Sequence, residues 1–535
     1  MRETRLFHHI LSASAEARPD AGAVTSGDRT LSYAEVDDHA TRFGAGLRAL
    51  GLSRFDRVAV YLDKRPETVI SMFGAGHGDA IFVPVNPILK PGQVAHILRD
   101  CEVAVLVTSR ARFAALAGVL ASTAVRHVVL VDAEPGEEGA GTTPVHAFAE
   151  LTSHAPLRGS GTIDSDAAAI LYTSGSTGNP KGVVLSHRNL VAGAKSVAEY
   201  LRNDHEDVIL AALPLSFDAG LSQLSTGFHA GGRVVLLNYL LAKDVVKAVE
   251  SEGVTGITAV PPMWAQLTEV EWPESASRHV RYWATTGGRM PGSLIERLRA
   301  CLPDAEPFLM YGLTEAFRAT YLPPEMIDER PGSIGKAIPN AEIMVLREDG
   351  SPCEPGEPGE LVQRGALVAL GYWNAPELTA ERFKALPAAS GARPAGIVPE
   401  ELAVFSGDLV KTDEEGFLYF VSRKDEMLKT SGYRVSPTEV EEVLHSSGLV
   451  AECAAFGIPH PTMGHLIGAV VKPRADTRLE IDELVAHCRR VMPKYMVPTR
   501  IEVVDEDLPR NQNGKIDRKA IASHFAATPE GSVVA

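Results

Sequence analysis

The sequence predicts an α/β protein built in more than one part. A large N-terminal domain, residues 1–424, reads as helix-covered sheets with a β-rich subdomain at 331–424. A small α+β domain follows at 425–535. Three observations carry this. A chain of 535 residues is too long for one hydrophobic core. Strand-like apolar runs alternate with helical patterns from the N-terminus, which indicates parallel sheets with helices on their faces. The stretch 331–424 is rich in Gly and Pro with short strand runs, and the residues after it carry an αβ pattern of their own. The boundary falls near Arg423-Lys424-Asp425.

The elements follow in order. Tyr33 to Leu50 is an amphipathic helix with Val36, Phe43, Leu47 and Leu50 on one face. Arg57–Leu62, Ala80–Val85, Val103–Val107 and His127–Val131 are apolar runs of strand length. Ala167 to Leu171 is a buried strand that leads into a loop rich in Ser, Thr and Gly. Ser186 can cap a helix carrying Leu190, Ala194, Val197 and Leu201. Strands at Val208–Leu213 and Gly231–Leu237 come next, and further αβ units reach Thr285-Thr286-Gly287-Gly288 and Tyr311-Gly312-Leu313-Thr314-Glu315. A helix begins after Pro437, with Val440, Val443 and Leu444 inward. No repeat of fixed period is present.

Composition excludes several classes. A net charge of −16 with no basic block argues against a nucleic-acid partner. The five cysteines are scattered and lack metal-ligand spacing, which reads as reduced thiols in a cytoplasmic protein. The N-terminal stretch has no apolar core of a signal peptide, and no run approaches the ~20 apolar residues of a membrane helix.

The densest chemistry lies in Tyr172-Thr173-Ser174-Gly175-Ser176-Thr177-Gly178-Asn179-Pro180-Lys181-Gly182. Glycines let backbone N–H groups turn toward a ligand, hydroxyls add donors for phosphate oxygens, and the lysine adds a mobile positive charge. The combination suits a polyphosphate. It is not a Walker A loop, because no Gly-Lys-Ser/Thr closes it. Glu315, at the end of an apolar run, can offer a hard oxygen to a magnesium ion, with Thr177 near it. Asp408, after Ala403-Val404-Phe405, can accept two ribose hydroxyls at once. In isolation each has a plain alternative: a helix-terminal Glu, a turn Asp, and, for Lys515 in Asn511-Gln512-Asn513-Gly514-Lys515, a surface turn lysine.

Together these motifs resemble, in order and from residue 172 to 515, the AMP-forming adenylating superfamily of acyl-CoA synthetases, adenylation domains and luciferases. The resemblance implies ATP and Mg²⁺ as cofactors. It assigns nucleotide binding to Thr173, Ser174, Gly175, Ser176, Thr177, Gly178, Lys181, Tyr311, Thr314, Asp408 and Arg423, and metal contact to Glu315 and Thr177. It implies catalytic roles for Lys515, Thr177, Glu315 and Lys429. Asp425 becomes the hinge of a mobile C-terminal domain, with Lys515 serving adenylation and Lys429 the second half-reaction. An ammonium between an incoming carboxylate and an anionic phosphate stabilises the charge that develops there. Ser422 stands where the family has Gly before the arginine.

The acid pocket implied by the resemblance is Phe217, Asp218, Ala259, Thr286, Met310 and Arg318. Phe217 takes the position of an aromatic gate. Asp218 follows it as in amino-acid adenylation domains, where that carboxylate meets the substrate ammonium, although Gly220 replaces their Ser. A buried Asp needs a partner. That partner is either a substrate ammonium, the reading favoured by the Phe-Asp pair, or a protein group such as Arg289 or Arg318. Arg318 can alternatively meet a second carboxylate of the substrate. Leu213-Pro-Leu-Ser-Phe-Asp and Tyr311-Gly-Leu-Thr-Glu-Ala-Phe-Arg resemble AMP-forming acyl-CoA ligases associated with exosortase systems. The expected function is adenylation of a small carboxylic or amino acid and transfer of its acyl group to CoA or to a separate phosphopantetheinyl carrier protein. The alternatives are a fatty or aryl acid–CoA ligase and, more remotely, a luciferase-like oxygenase or a non-catalytic binding member.

Overall fold

The computed structural model describes residues 3–136, 143–157, 159–173, 180–392, 400–424, 426–430, 433–460, 464–475, 477–511, 515–527 and 532–533. Its N-terminal part is organised by two large sheets. The first sheet has a parallel run of neighbouring strands, Glu306–Tyr311, Tyr282–Thr285, Gly256–Ala259, Val208–Ala211, Arg233–Leu236 and Gly22–Ser26. The second sheet is centred on Ile81–Pro84, Arg57–Tyr61, Val105–Thr108 and His127–Leu130, also parallel. Strands buried on both faces need continuous apolar sequence, and runs such as Val105–Thr108 supply it.

The expected helices form for the local reasons visible in the sequence. Ser32 and Glu35 close a capping box at the start of Tyr33–Ala49. Ser186 caps His187–Tyr200, with its Oγ accepting from Asn189 N–H at 3.1 Å. That helix ends at Tyr200, so Leu201 packs from just beyond its last turn. Gly220, in the helix Asp218–Ala230, departs from the expected Ser for a steric reason: a Cβ there would lie 2.0 Å from the Pro214 carbonyl oxygen.

The β-rich stretch is antiparallel: Ser333–Ala337, Ala341–Leu346, Gly359–Gly365, Leu402–Thr412 and Leu418–Arg423 pair in this manner. It continues the edge of the first sheet, because Ser333–Ala337 pairs with Thr320–Leu322. One of its strands, Gly371–Tyr372, crosses to the second sheet and pairs with Lys181–Ser186. The C-terminal residues form a third sheet around Val450–His460 and Gly464–Pro473. Val435, Val440, Leu444, Leu484 and Ile501 build its apolar core. Among the described residues no helix is long and apolar enough to cross a membrane.

Candidate active site

The carboxyl ends of the parallel strands deliver the site, as expected for an α/β sheet. Thr173 ends the strand Ala167–Thr173 and stands directly opposite Lys181 on its antiparallel partner. These two residues bracket the mouth of the Ser/Thr/Gly loop. Ser174, Gly175, Ser176, Thr177 and Gly178 lie outside the described residues, as does Asp425.

Tyr311 closes the strand Glu306–Tyr311, and its hydroxyl donates to Asp408 Oδ2. Asp408 sits in register with Arg423 on the neighbouring strand, and Arg423 Nη1 lies 3.6 Å from Asp408 Oδ1. The carboxylate is buried, and Oδ1 accepts no hydrogen bond among the described residues. Burial pushes the Asp408 carboxyl above its usual range, while Arg423, the Tyr311 hydroxyl and Lys515 pull it back. Burial and the neighbouring Asp408 hold the Tyr311 phenol well above its ordinary value, so it stays a donor. A buried acceptor with open capacity suits a sugar hydroxyl. The residues present therefore fit a nucleotide here.

Thr314 and Glu315 lie on a single turn after this strand. Glu315 Oε1 accepts from the Tyr372 hydroxyl at 2.5 Å, and Tyr372 pairs with Val183 beside the Ser/Thr/Gly loop. Glu315 is thereby held against the strand that leaves this loop. Its carboxylate is a hard oxygen donor of the kind magnesium takes.

Lys515 comes from the C-terminal domain. Its Cε would lie 3.9 Å from a Cβ built on Gly287, so the lysine stem passes over this glycine. Gly287 has φ +80, a conformation glycine adopts without penalty. Arg289, two residues on, forms an ion pair with Glu442 of the C-terminal domain. Lys429 lies in the strand Leu428–Thr430, which pairs with Tyr433–Val435.

The residues expected around the acid are only partly gathered: Met310 and Arg318 line one small cavity. Ala259 is fully buried in the apolar cluster of Trp264 and Leu267, on the far face of its strand. Its neighbour Thr258 lines the cavity instead, together with Ala219, Ser222, Met310 and Arg318. Successive strand residues face opposite ways, so Thr258 and not Ala259 borders this cavity. Thr286 is buried, its N–H donating to the Ala259 carbonyl at 3.3 Å. Phe217 is half-buried at the start of the helix Asp218–Ala230. Asp218 Oδ2 accepts from Arg318 Nη1 at 2.7 Å, with the Arg318 side chain 2% and the Asp218 side chain 18% exposed.

The preceding backbone fixes Arg318. Phe317 has φ 56 and ψ −51, and Arg318 N–H donates to the Ala316 carbonyl at 2.5 Å, the pattern of a strained γ-turn. Gly193 makes room for the buried Phe317 ring, since a Cβ there would lie 2.4 Å from it. Gln363 Nε2 donates to the Arg318 carbonyl at 2.9 Å.

Comparison with known proteins agrees with this geometry. Residues 11–373 match the AMP-binding enzyme family, and residues 439–515 match the AMP-binding enzyme C-terminal domain. The chain is 30% identical to a feruloyl-CoA synthase of an Amycolatopsis species over 96% of this chain and 97% of that protein. It is 28% identical to a linear gramicidin synthase of Brevibacillus parabrevis over 96% of this chain, yet spans only 10% of that protein's length. The solved o-succinylbenzoate coenzyme A synthetase of Bacillus subtilis, in complex with ATP and magnesium ion, superposes with a TM-score of 0.79 at 28% identity, covering 95% of this chain and 98% of that one. Fold and site define a two-part adenylate-forming ligase. The chain belongs to the AMP-binding enzyme family.

Proposed function

We propose that this protein adenylates a carboxylic acid without an α-ammonium group and passes the acyl group to CoA, acting in the cytoplasm. The single observation behind the nucleotide half is the convergence of Tyr311, Asp408, Arg423 and Glu315 with Lys515 across a domain interface. The choice of acid rests on Arg318, which already neutralises Asp218. A substrate ammonium would have to displace a cation that is itself buried and would then lack its partner. The aryl acid ligases among the relatives support CoA as acceptor, and the gramicidin synthase likeness keeps a carrier protein as the alternative.

The reading runs in two steps. The carboxylate oxygen attacks the α-phosphate of ATP, and the bond to pyrophosphate breaks. The thiol sulfur then attacks the acyl carbon, the bond to AMP oxygen breaks, and the thiol proton leaves to solvent. Asp408 holds the ribose hydroxyls, Arg423 lies beside it, and Tyr311 positions the Asp408 carboxylate while its ring faces the base. Glu315 and Thr177 would hold magnesium, which offsets phosphate charge. Lys515 lies between carboxylate and phosphate in the first step. Thr173, Thr314 and Lys181 would serve the polyphosphate, together with Ser174, Gly175, Ser176 and Gly178 of the Ser/Thr/Gly loop. We place the hinge at Asp425, between domains 1–424 and 425–535, with Lys429 entering for the second step. Glu426 beside it is tied to Arg518 at 2.6 Å, which anchors the C-terminal side of that hinge. Free thiols at all five cysteines accord with a reducing compartment. ATP–pyrophosphate exchange across a panel of acids, followed by CoA thioester detection, tests the proposal; no exchange with any acid would refute it.

A further inference from the structure

A second cavity stands apart from the nucleotide residues. It measures about 170 Å³ and opens between the end of the helix His187–Tyr200 and the strand Thr320–Leu322. A water needs about 10–15 Å³ on this measure, so a small organic molecule has room. Tyr200 and Phe308 are buried and form its floor. Tyr321 is half-buried and stacks on Tyr200, with ring centroids 4.4 Å apart. Phe308 comes three residues before Tyr311 on the strand Glu306–Tyr311, so the two take opposite faces. Tyr200 lines this cavity and Met310 lines the small one beside Arg318. The Tyr200 hydroxyl donates to Met310 Sδ at 2.9 Å, and these two side chains separate the cavities.

The charge at its rim is one-sided. Glu199 and Glu325 line the cavity and are exposed, and neither has an ion-pair partner among the described residues. Burial raises the Tyr321 phenol above its ordinary value, and Glu325 and Glu199 raise it further, so both carboxylates lie near that ring. Arg202 also lines the cavity, but its Nη1 donates to both oxygens of Glu306, at 3.0 and 3.2 Å. Glu199 sits in the last turn of its helix, which carries no basic residue. A carboxylate there meets the negative end of the helix dipole, and a cation beside it relieves that repulsion. Aromatic faces attract cations as well.

We propose that this cavity binds a small organic ammonium ion, its charge between Glu199 and Glu325 and its carbon skeleton against Tyr321 and the neighbouring prolines. An anion would meet two carboxylates. A bare metal ion would leave the apolar surface of Tyr321, Pro323 and Pro324 unused. The inference does not depend on the ligase reading, because none of these residues belongs to the proposed reaction.

The test is titration calorimetry on the full chain with choline and its neutral carbon isostere, 3,3-dimethylbutan-1-ol. Choline should bind with a Kd of about 1 mM or tighter, and about tenfold more tightly than the isostere. The double variant Glu199→Gln/Glu325→Gln changes only exposed side chains and should weaken choline by about tenfold. Tyr321→Leu should weaken it by about fivefold. Saturating AMP should leave the choline affinity unchanged. No saturable binding of choline, equal binding of the isostere, full affinity in the double variant or displacement by AMP would overturn the inference and leave the ligase reading intact.

Discussion

Two Asp–Arg pairs of this chain are built differently. Asp408 and Arg423 are cross-strand neighbours 3.6 Å apart, with Arg423 half-exposed and one carboxylate oxygen accepting no hydrogen bond among the described residues. Asp218 and Arg318 are one hundred residues apart in sequence, 2.7 Å apart in space, and the arginine is sealed from water. The first pair leaves acceptor capacity open to a ligand, whereas the second fills its carboxylate from within. An Asp near an Arg is therefore no guide to function by itself; what matters is which lone pairs and N–H groups remain unused.

The sharpest way to break the contrast is to remove the group that reaches the nucleotide side from outside. Lys515→Ala should lower pyrophosphate exchange by about a thousandfold. Thioester formation from supplied acyl-AMP should change far less, because Lys515 serves only the first step. Equal loss in both assays would mean that the lysine stays in place throughout.

The next effect tests the open pair. Asp408→Ala should weaken AMP binding by about a hundredfold in calorimetry, since a charged acceptor for two hydroxyls is lost. Unchanged affinity would show that its open oxygen faces no ligand.

A third variant separates the acid-pocket motif from its packing. Gly220→Ser restores the residue of amino-acid adenylation domains but puts a Cβ against the Pro214 carbonyl. Stability to urea should fall by about 2 kcal/mol, with no gain of amino-acid-dependent exchange. Such a gain would show that the glycine, not Arg318, excludes amino acids.

The smallest effect is in pH. Only ionised Asp408 can accept two hydroxyls, and burial raises its pKa. As pH falls, AMP affinity should decline a few-fold, beginning above the ordinary carboxylate range. A decline confined to that ordinary range would mean that Asp408 is better solvated than its burial indicates.

What the sequence revealed divides along the same line. Tyr311, Glu315, Asp408, Arg423 and Lys515 stand in short motifs whose spacing and order were legible, and the structure brings them together. The partner of Asp218 was not. Arg289 and Arg318 were both candidates, and only the tertiary fold separates them. Arg289 turns to Glu442 of the C-terminal domain, while the Phe317 turn sends Arg318 inward. No local pattern announces a non-glycine residue at positive φ. Ala259 and Thr258 take opposite faces of their strand by its two-residue period, Ala259 toward the apolar core and Thr258 toward the small cavity beside Arg318.

The most direct test of the closed acid pair is ATP–pyrophosphate exchange with amino acids set against their deaminated analogues at equal concentration. If Arg318 holds Asp218, the deaminated acids drive exchange and the amino acids do not. Robust exchange with an amino acid, and none with its deaminated analogue, would contradict the account.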